Sequence, residues 1–265
     1  MKSLRIANVA ALVVTLIINF LSQSASTFGV ELFPKTVAEL GESRAIFFLP
    51  AGYVFAIWGI IYTGLIAFAI YQWRAKDSAI DLAVGYWFVV SCVGNSLWLI
   101  LFLADAVALS TLAMLVILAS LVLIYLRLGI GKLAVSTGRL WAVHIPFSIY
   151  LGWISVATIA NISAALYQGG QVTGFLGISA DLWAVIMMAI AFVLTGAMLW
   201  MRRDYAFAGV VVWALVGIYA RPFTTPVFEV LASQNIGLVD TTALVLAIGV
   251  GVGIVASVFM RRQTA

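Results

Sequence analysis

Eight stretches of this chain carry no charged side chain in their middle and are long enough to cross roughly 30 Å of hydrocarbon at about 1.5 Å per residue. They run at roughly 6–22, 51–72, 83–104, 107–126, 140–165, 182–201, 205–220 and 241–260. The seventh is short and the fifth long. The implied fold class is all-α, a polytopic transmembrane helix bundle of about eight helices. Composition agrees: 65% of the 265 residues are hydrophobic, 9% are charged, and the mean hydropathy is +1.16. A soluble domain of this size has too little interior to hide so much apolar surface.

Basic side chains are retained on the cytoplasmic side during insertion, so their distribution sets orientation. With the N-terminus inside, Lys2, Arg5, Arg74, Lys76, Arg127, Lys132, Arg139, Arg202, Arg203, Arg261 and Arg262 lie inside, and Lys35, Arg44 and Arg221 lie outside. That split of 11 against 3 covers all 14 basic residues and predicts both termini in the cytoplasm, in a cell inner or plasma membrane. The net charge of +4 sits in the inner loops that this rule already requires, so it points to no nucleic-acid partner.

Cys92 is the sole cysteine, lies in an apolar span and reads as a packing residue. MKSLR, an apolar stretch and then SQSAS resemble a secretory signal; the apolar stretch is long for a signal core, which favours a retained first helix. The two longest gaps, 23–50 and 221–240, are loops predicted to face outward, the first either a lid over the outer mouth or a connector. QGGQVTGFLG follows a helix rather than a strand, which rules out a phosphate loop. Gly249, Gly253 and Ser257 recur every four residues, a small-residue stripe for close helix packing within or between subunits.

A charge at mid-membrane is expensive and usually functional. Its absence from every span argues against carboxylate-based proton or sodium coupling. It also weakens enzyme readings, since paired carboxylates, metal clusters and a nucleophile with its base are all missing. His144 is the only histidine and reads as a hydrogen-bonded core residue rather than a metal ligand. The chain is expected to be no enzyme and to require no cofactor or metal.

Neutral polar groups beside aromatics remain, in three stripes. Phe55, Trp58 and Tyr62 fall at i, i+3 and i+7, as do Asn95, Trp98 and Phe102. Tyr150, Trp153, Ala157 and Asn161 follow at intervals of three, four and four. At 3.6 residues per turn each set shares one helix face. Pro146, one turn before Tyr150, removes a backbone donor and crowds the Ala142 carbonyl, which predicts a kink. Any one stripe reads as packing. Together, with two amides among them, they suggest a pocket for a flat, largely apolar ligand with a few hydrogen-bonding groups.

The segments PAGYVFAIWGIIY (50–62), NSLWLILF (95–102) and YLGWISVATIAN (150–161), in that order, resemble the TspO/MBR family of tryptophan-rich sensory proteins. Trp58 and Tyr62, Asn95 and Trp98, and Tyr150, Trp153, Ala157 and Asn161 match its pattern. The resemblance implies a five-helix TspO-like core over residues 1–166 and three additional transmembrane helices over 167–265. It implies a pocket for tetrapyrroles such as porphyrins, or for sterol-like molecules, lined by Asn95, Trp98, Trp153 and Ala157 with Tyr53 and Phe55 near its mouth. Phe48 stands where the family has Trp and Ala51 where it has a second proline, so ligand preference should differ at the mouth. The expected function is an integral membrane receptor or sensor of such a ligand, with transport as the alternative and porphyrin degradation ranked last. The expected partners are the lipid bilayer, the small hydrophobic ligand and a second copy in a homodimer. Arg221, followed by Pro222, reads as an interfacial anchor or a partner for an anionic ligand group.

Overall fold

The computed structural model describes residues 1–24, 35–42, 46–167, 175–221 and 235–263. Much of the two long loops and most of the QGGQVTGFLG segment lie outside the described residues. All eight predicted spans are helical, and no strand occurs among the described residues. The elements are α1 (Lys2–Ser24), α2 (Val37–Glu42), a 3-10 turn (Gly52–Ala56), α3 (Ile57–Ala75), α4 (Ser78–Val84), α5 (Trp87–Leu103), α6 (Val107–Arg127), one-turn α7 (Thr137–Arg139), α8 (Ile145–Leu166), α9 (Ala180–Arg202), α10 (Tyr205–Tyr219) and α11 (Ile236–Gln263).

Six helical spans are long and apolar enough to cross a membrane, and α4 with α5 makes a seventh if the bent pair is counted as one. The bend of 43° falls at Gly85, whose φ of +52° suits a residue without Cβ. At 15 residues α10 is apolar but shorter than these spans, about 22 Å long. Polar caps start the helices that follow tight turns: Asp77 accepts from the Ala79 amide at α4, and Asp204 accepts from the Phe207 amide at α10.

The predicted kink takes a definite form. Leu140–His144 is a π-helical turn, and the Ile145 amide reaches back five residues to the Leu140 carbonyl. The wider turn accommodates Pro146, which has no amide hydrogen for the Ala142 carbonyl. Gly64 of α3 sits against this proline; a Cβ there would lie 3.0 Å from Pro146 Cβ.

The chain divides into two compact units, residues 1–37 with 57–154, and 38–56 with 155–265. In the first, Phe68, Phe88 and Phe147 meet edge to face with centroids 5.0 to 6.0 Å apart. Gly94 lets α5 approach α6 closely, since a Cβ would come 2.9 Å from Ile117 Cγ1. One buried polar cluster closes an end of this unit: Arg5 pairs with Asp81 (Nε to Oδ2 2.8 Å), Gln72 donates to Asp81 Oδ1, and Asn8 donates to Gln72 Oε1. Asp81 is fully buried, so removing α1 would strand its carboxylate without the cation that neutralises it.

In the second unit, Leu199, Ala208 and Val250 form a small core with Phe192, Tyr205, Val212 and Ile254. The small-residue stripe of α11 packs here: Gly249 faces Phe192, Gly253 faces Leu199, and Ser257 Oγ lies 3.3 Å from Tyr205 Oη.

Candidate functional site

The first turn of α3 places Trp58 among four other rings of the first unit. It stacks on Tyr62, one turn along the same helix, with centroids 5.4 Å apart, and on Trp98 of α5 at 5.7 Å. Tyr150 and Trp153 of α8 meet it edge-on, each at 6.2 Å. Trp98 in turn stacks on Phe102 at 5.7 Å. Trp98, Tyr150 and Trp153 are buried, whereas Trp58 and Tyr62 are half-buried. Each such ring pair adds about 0.5–1.5 kcal/mol beyond area burial.

Hydrogen bonds run along one side of this cluster through a residue outside the three aromatic stripes. Asn19 of α1 accepts from the Tyr62 hydroxyl at 2.6 Å and donates to Asn95 Oδ1 at 2.9 Å and to the Thr15 carbonyl at 2.9 Å. Thr15 donates to the Cys92 carbonyl. Sequence carried a signal for it: Asn8, Thr15, Asn19 and Ser22 fall at intervals of seven, four and three, a polar face on a helix otherwise made of lipid-compatible residues. Asn95 is fully buried, and its Nδ2 has no hydrogen-bond partner among the described residues. A buried donor left so costs stability, and an acceptor brought to it would recover that cost.

Trp58, Tyr62, Asn95, Trp98, Tyr150 and Trp153 are therefore brought together in the first unit. The remaining expected site residues belong to the second. Ala157 is half-buried and Asn161 buried on the later part of α8, while Phe55 is half-buried in the 3-10 turn. The uniform α-helical period assumed for Phe55, Trp58 and Tyr62 breaks between Phe55 and Trp58, where 3-10 gives way to α.

Tyr53 is half exposed and packs edge-on against Trp213 of α10 at 5.4 Å. The backbone around it is held by α10 through two bonds: Trp213 Nε1 donates to the Val54 carbonyl, and the Ala51 amide donates to the Gly217 carbonyl at 3.0 Å. Gly217 has no room for a side chain, since a Cβ would overlap Val54 and lie 2.9 Å from Pro50 Cβ. Arg221 is buried, and donates to the carbonyls of Ile46 at 2.6 Å and Leu49 at 3.4 Å. The Ala51 amide makes a bond that a proline at this position would have no hydrogen to make.

Six or seven apolar spans and such an aromatic cluster define a multi-span helical membrane protein. A family model described as TSPO-like protein matches residues 5–257, and the chain belongs to the TSPO-like family, which supports a sensor or transporter type of role in general. The match runs through the helices beyond residue 166 as well as those before it. No curated protein and no solved structure matches the chain.

Proposed function

We propose that the protein is a membrane receptor that binds a flat hydrophobic molecule, with a tetrapyrrole as the first ligand to test, at the aromatic cluster around Trp58. The observation that carries this reading is the buried, unpartnered Asn95 Nδ2 beside a set of rings suited to stacking. The ligand stacks on Trp98 and Trp153, and one of its carbonyl, carboxylate or ring-nitrogen acceptors takes the Asn95 hydrogen. Trp58, half-buried at the very start of α3, holds the space in the ligand-free protein and turns aside on binding. Tyr62 and Asn19 keep the Asn95 amide oriented through its oxygen.

No catalytic step, cofactor or metal belongs to this reading. The distribution of basic residues supports an orientation with both termini cytoplasmic.

The test is titration of the detergent-purified protein with protoporphyrin IX, followed by tryptophan quenching. Saturable quenching is expected for the wild type, with affinity at least about tenfold weaker in Asn95→Leu and Trp153→Ala, the size of one lost buried hydrogen bond or stacking partner. Unchanged titrations in both folded variants would remove the cluster as the binding site. Uptake into proteoliposomes separates transport from reception.

A further inference from the structure

Antiparallel helices α1 and α3 are tied by two polar rungs, Asn8 to Gln72 at 3.3 Å and Asn19 to Tyr62 at 2.6 Å. Alongside them lies a groove of about 570 Å³, lined from α1 by residues between Ile6 and Leu16 and from α3 by residues between Ile66 and Arg74, so that it runs past the Asn8–Gln72 rung at one end. Its lining includes Ala10 and Ala69, whose short side chains leave the space. The stretch from Ile6 to Leu16 rises roughly 15 Å, enough for much of one acyl chain lying along the helix.

The groove is apolar along its length except at one end, where Trp73 and Arg74 stand level with Ile6. Trp73 is half exposed, the usual posture of a ring at the lipid headgroup level. Arg74 is exposed and makes no hydrogen bond or ion pair among the described residues, whereas Arg5, next to Ile6 in sequence, is committed to Asp81. A tail-length apolar channel headed by an uncommitted guanidinium is complementary to an amphiphile with one anionic head.

We propose that this groove is a binding site for an anionic phospholipid, with an acyl chain between α1 and α3 and the phosphate at Arg74. The site is separate from the aromatic cluster, and its occupancy does not depend on the identity of the ligand bound there. The lipid bridges the same two helices that the Asn8–Gln72 and Asn19–Tyr62 bonds tie together.

The test uses the full chain in mixed micelles with phosphatidylglycerol or phosphatidylcholine brominated on the acyl chains. Bromine quenches nearby indoles, and the difference between wild type and Trp73→Phe isolates the Trp73 signal. Half-quenching is expected at about fivefold lower phosphatidylglycerol than phosphatidylcholine, the preference that one basic residue gives at an anionic surface. Arg74→Gln should abolish that preference, Arg74→Lys should retain it, and Ala10→Leu should remove the Trp73 quenching by filling the channel. Equal response to the two lipids, or a preference that survives Arg74→Gln, overturns the proposal. So does the absence of quenching by either lipid together with a dimeric protein in solution, since a second copy of the chain would then cover the groove.

Discussion

The Asn19 amide of α1 donates to Asn95 Oδ1 of α5 at 2.9 Å while its own oxygen accepts the Tyr62 hydroxyl of α3 at 2.6 Å. One side chain therefore satisfies groups on two other helices, in a medium where water is not there to replace it. Asn19→Leu leaves both without that partner, and the expected loss of stability is about 1–2 kcal/mol, above the average for a single hydrogen bond in a bilayer. Thermal unfolding in detergent, with Asn19→Asp as a partial replacement, checks this.

Trp58 lies at the centre of the aromatic cluster, and its role differs in sign from that of its neighbours. Trp58→Ala empties the middle of the cluster and should lower stability by about 3 kcal/mol. If Trp58 holds the ligand's place, the same substitution leaves porphyrin affinity equal to or higher than that of the wild type, whereas Trp98→Ala and Trp153→Ala weaken it. Parallel quenching titrations of the three variants measure the contrast. A fall in affinity for Trp58→Ala matching the other two would show that Trp58 is instead a contact.

Two glycines of α10 should respond in opposite directions. At Gly209 no neighbouring atom lies within 4 Å of where a Cβ would sit, so Gly209→Ala gains helix propensity, about 0.5–1 kcal/mol. Gly217→Ala drives a methyl into Val54 and Pro50 and should cost about 1–3 kcal/mol through overpacking. The pair is measured by midpoint shifts in the same thermal assay, and a destabilising Gly209→Ala or a neutral Gly217→Ala would contradict the packing described.

Arg221 supplies charged hydrogen bonds to the backbone of residues 46–49, each worth about 1.5–3 kcal/mol. Arg221→Met should lower the midpoint and speed proteolysis within residues 35–50, with Arg221→Lys falling between. An unaltered cleavage pattern would count against the anchoring role.

The helical class was legible because length and hydropathy in a bilayer leave few alternatives; all eight expected stretches are helical, and six or seven of them are long and apolar enough to cross. The stripe Asn95, Trp98 and Phe102 was also legible, since α5 is regular over that interval and the three residues are buried together. Phe55 was assigned to the same face as Trp58 and Tyr62 because a single period was assumed across the 3-10 turn. Asn19 was missed although it lies on the polar face of α1 with Asn8, Thr15 and Ser22, because its partners Tyr62 and Asn95 stand on other helices. The carbonyls that Arg221 meets are 172 to 175 positions away, so no local pattern reveals them. The bend at Gly85 divides what hydropathy reads as one span.

The bond from the Ala51 amide to the Gly217 carbonyl has a consequence for how such chains diversify. Proline at position 51 would abolish the donor, and any side chain at 217 would collide with Val54 and Pro50, so these two positions are expected to covary across chains that carry α10. A chain without α10 would leave the Ala51 amide and the Val54 carbonyl without these partners, and proline at 51 would remove the first of those orphaned groups in a single substitution.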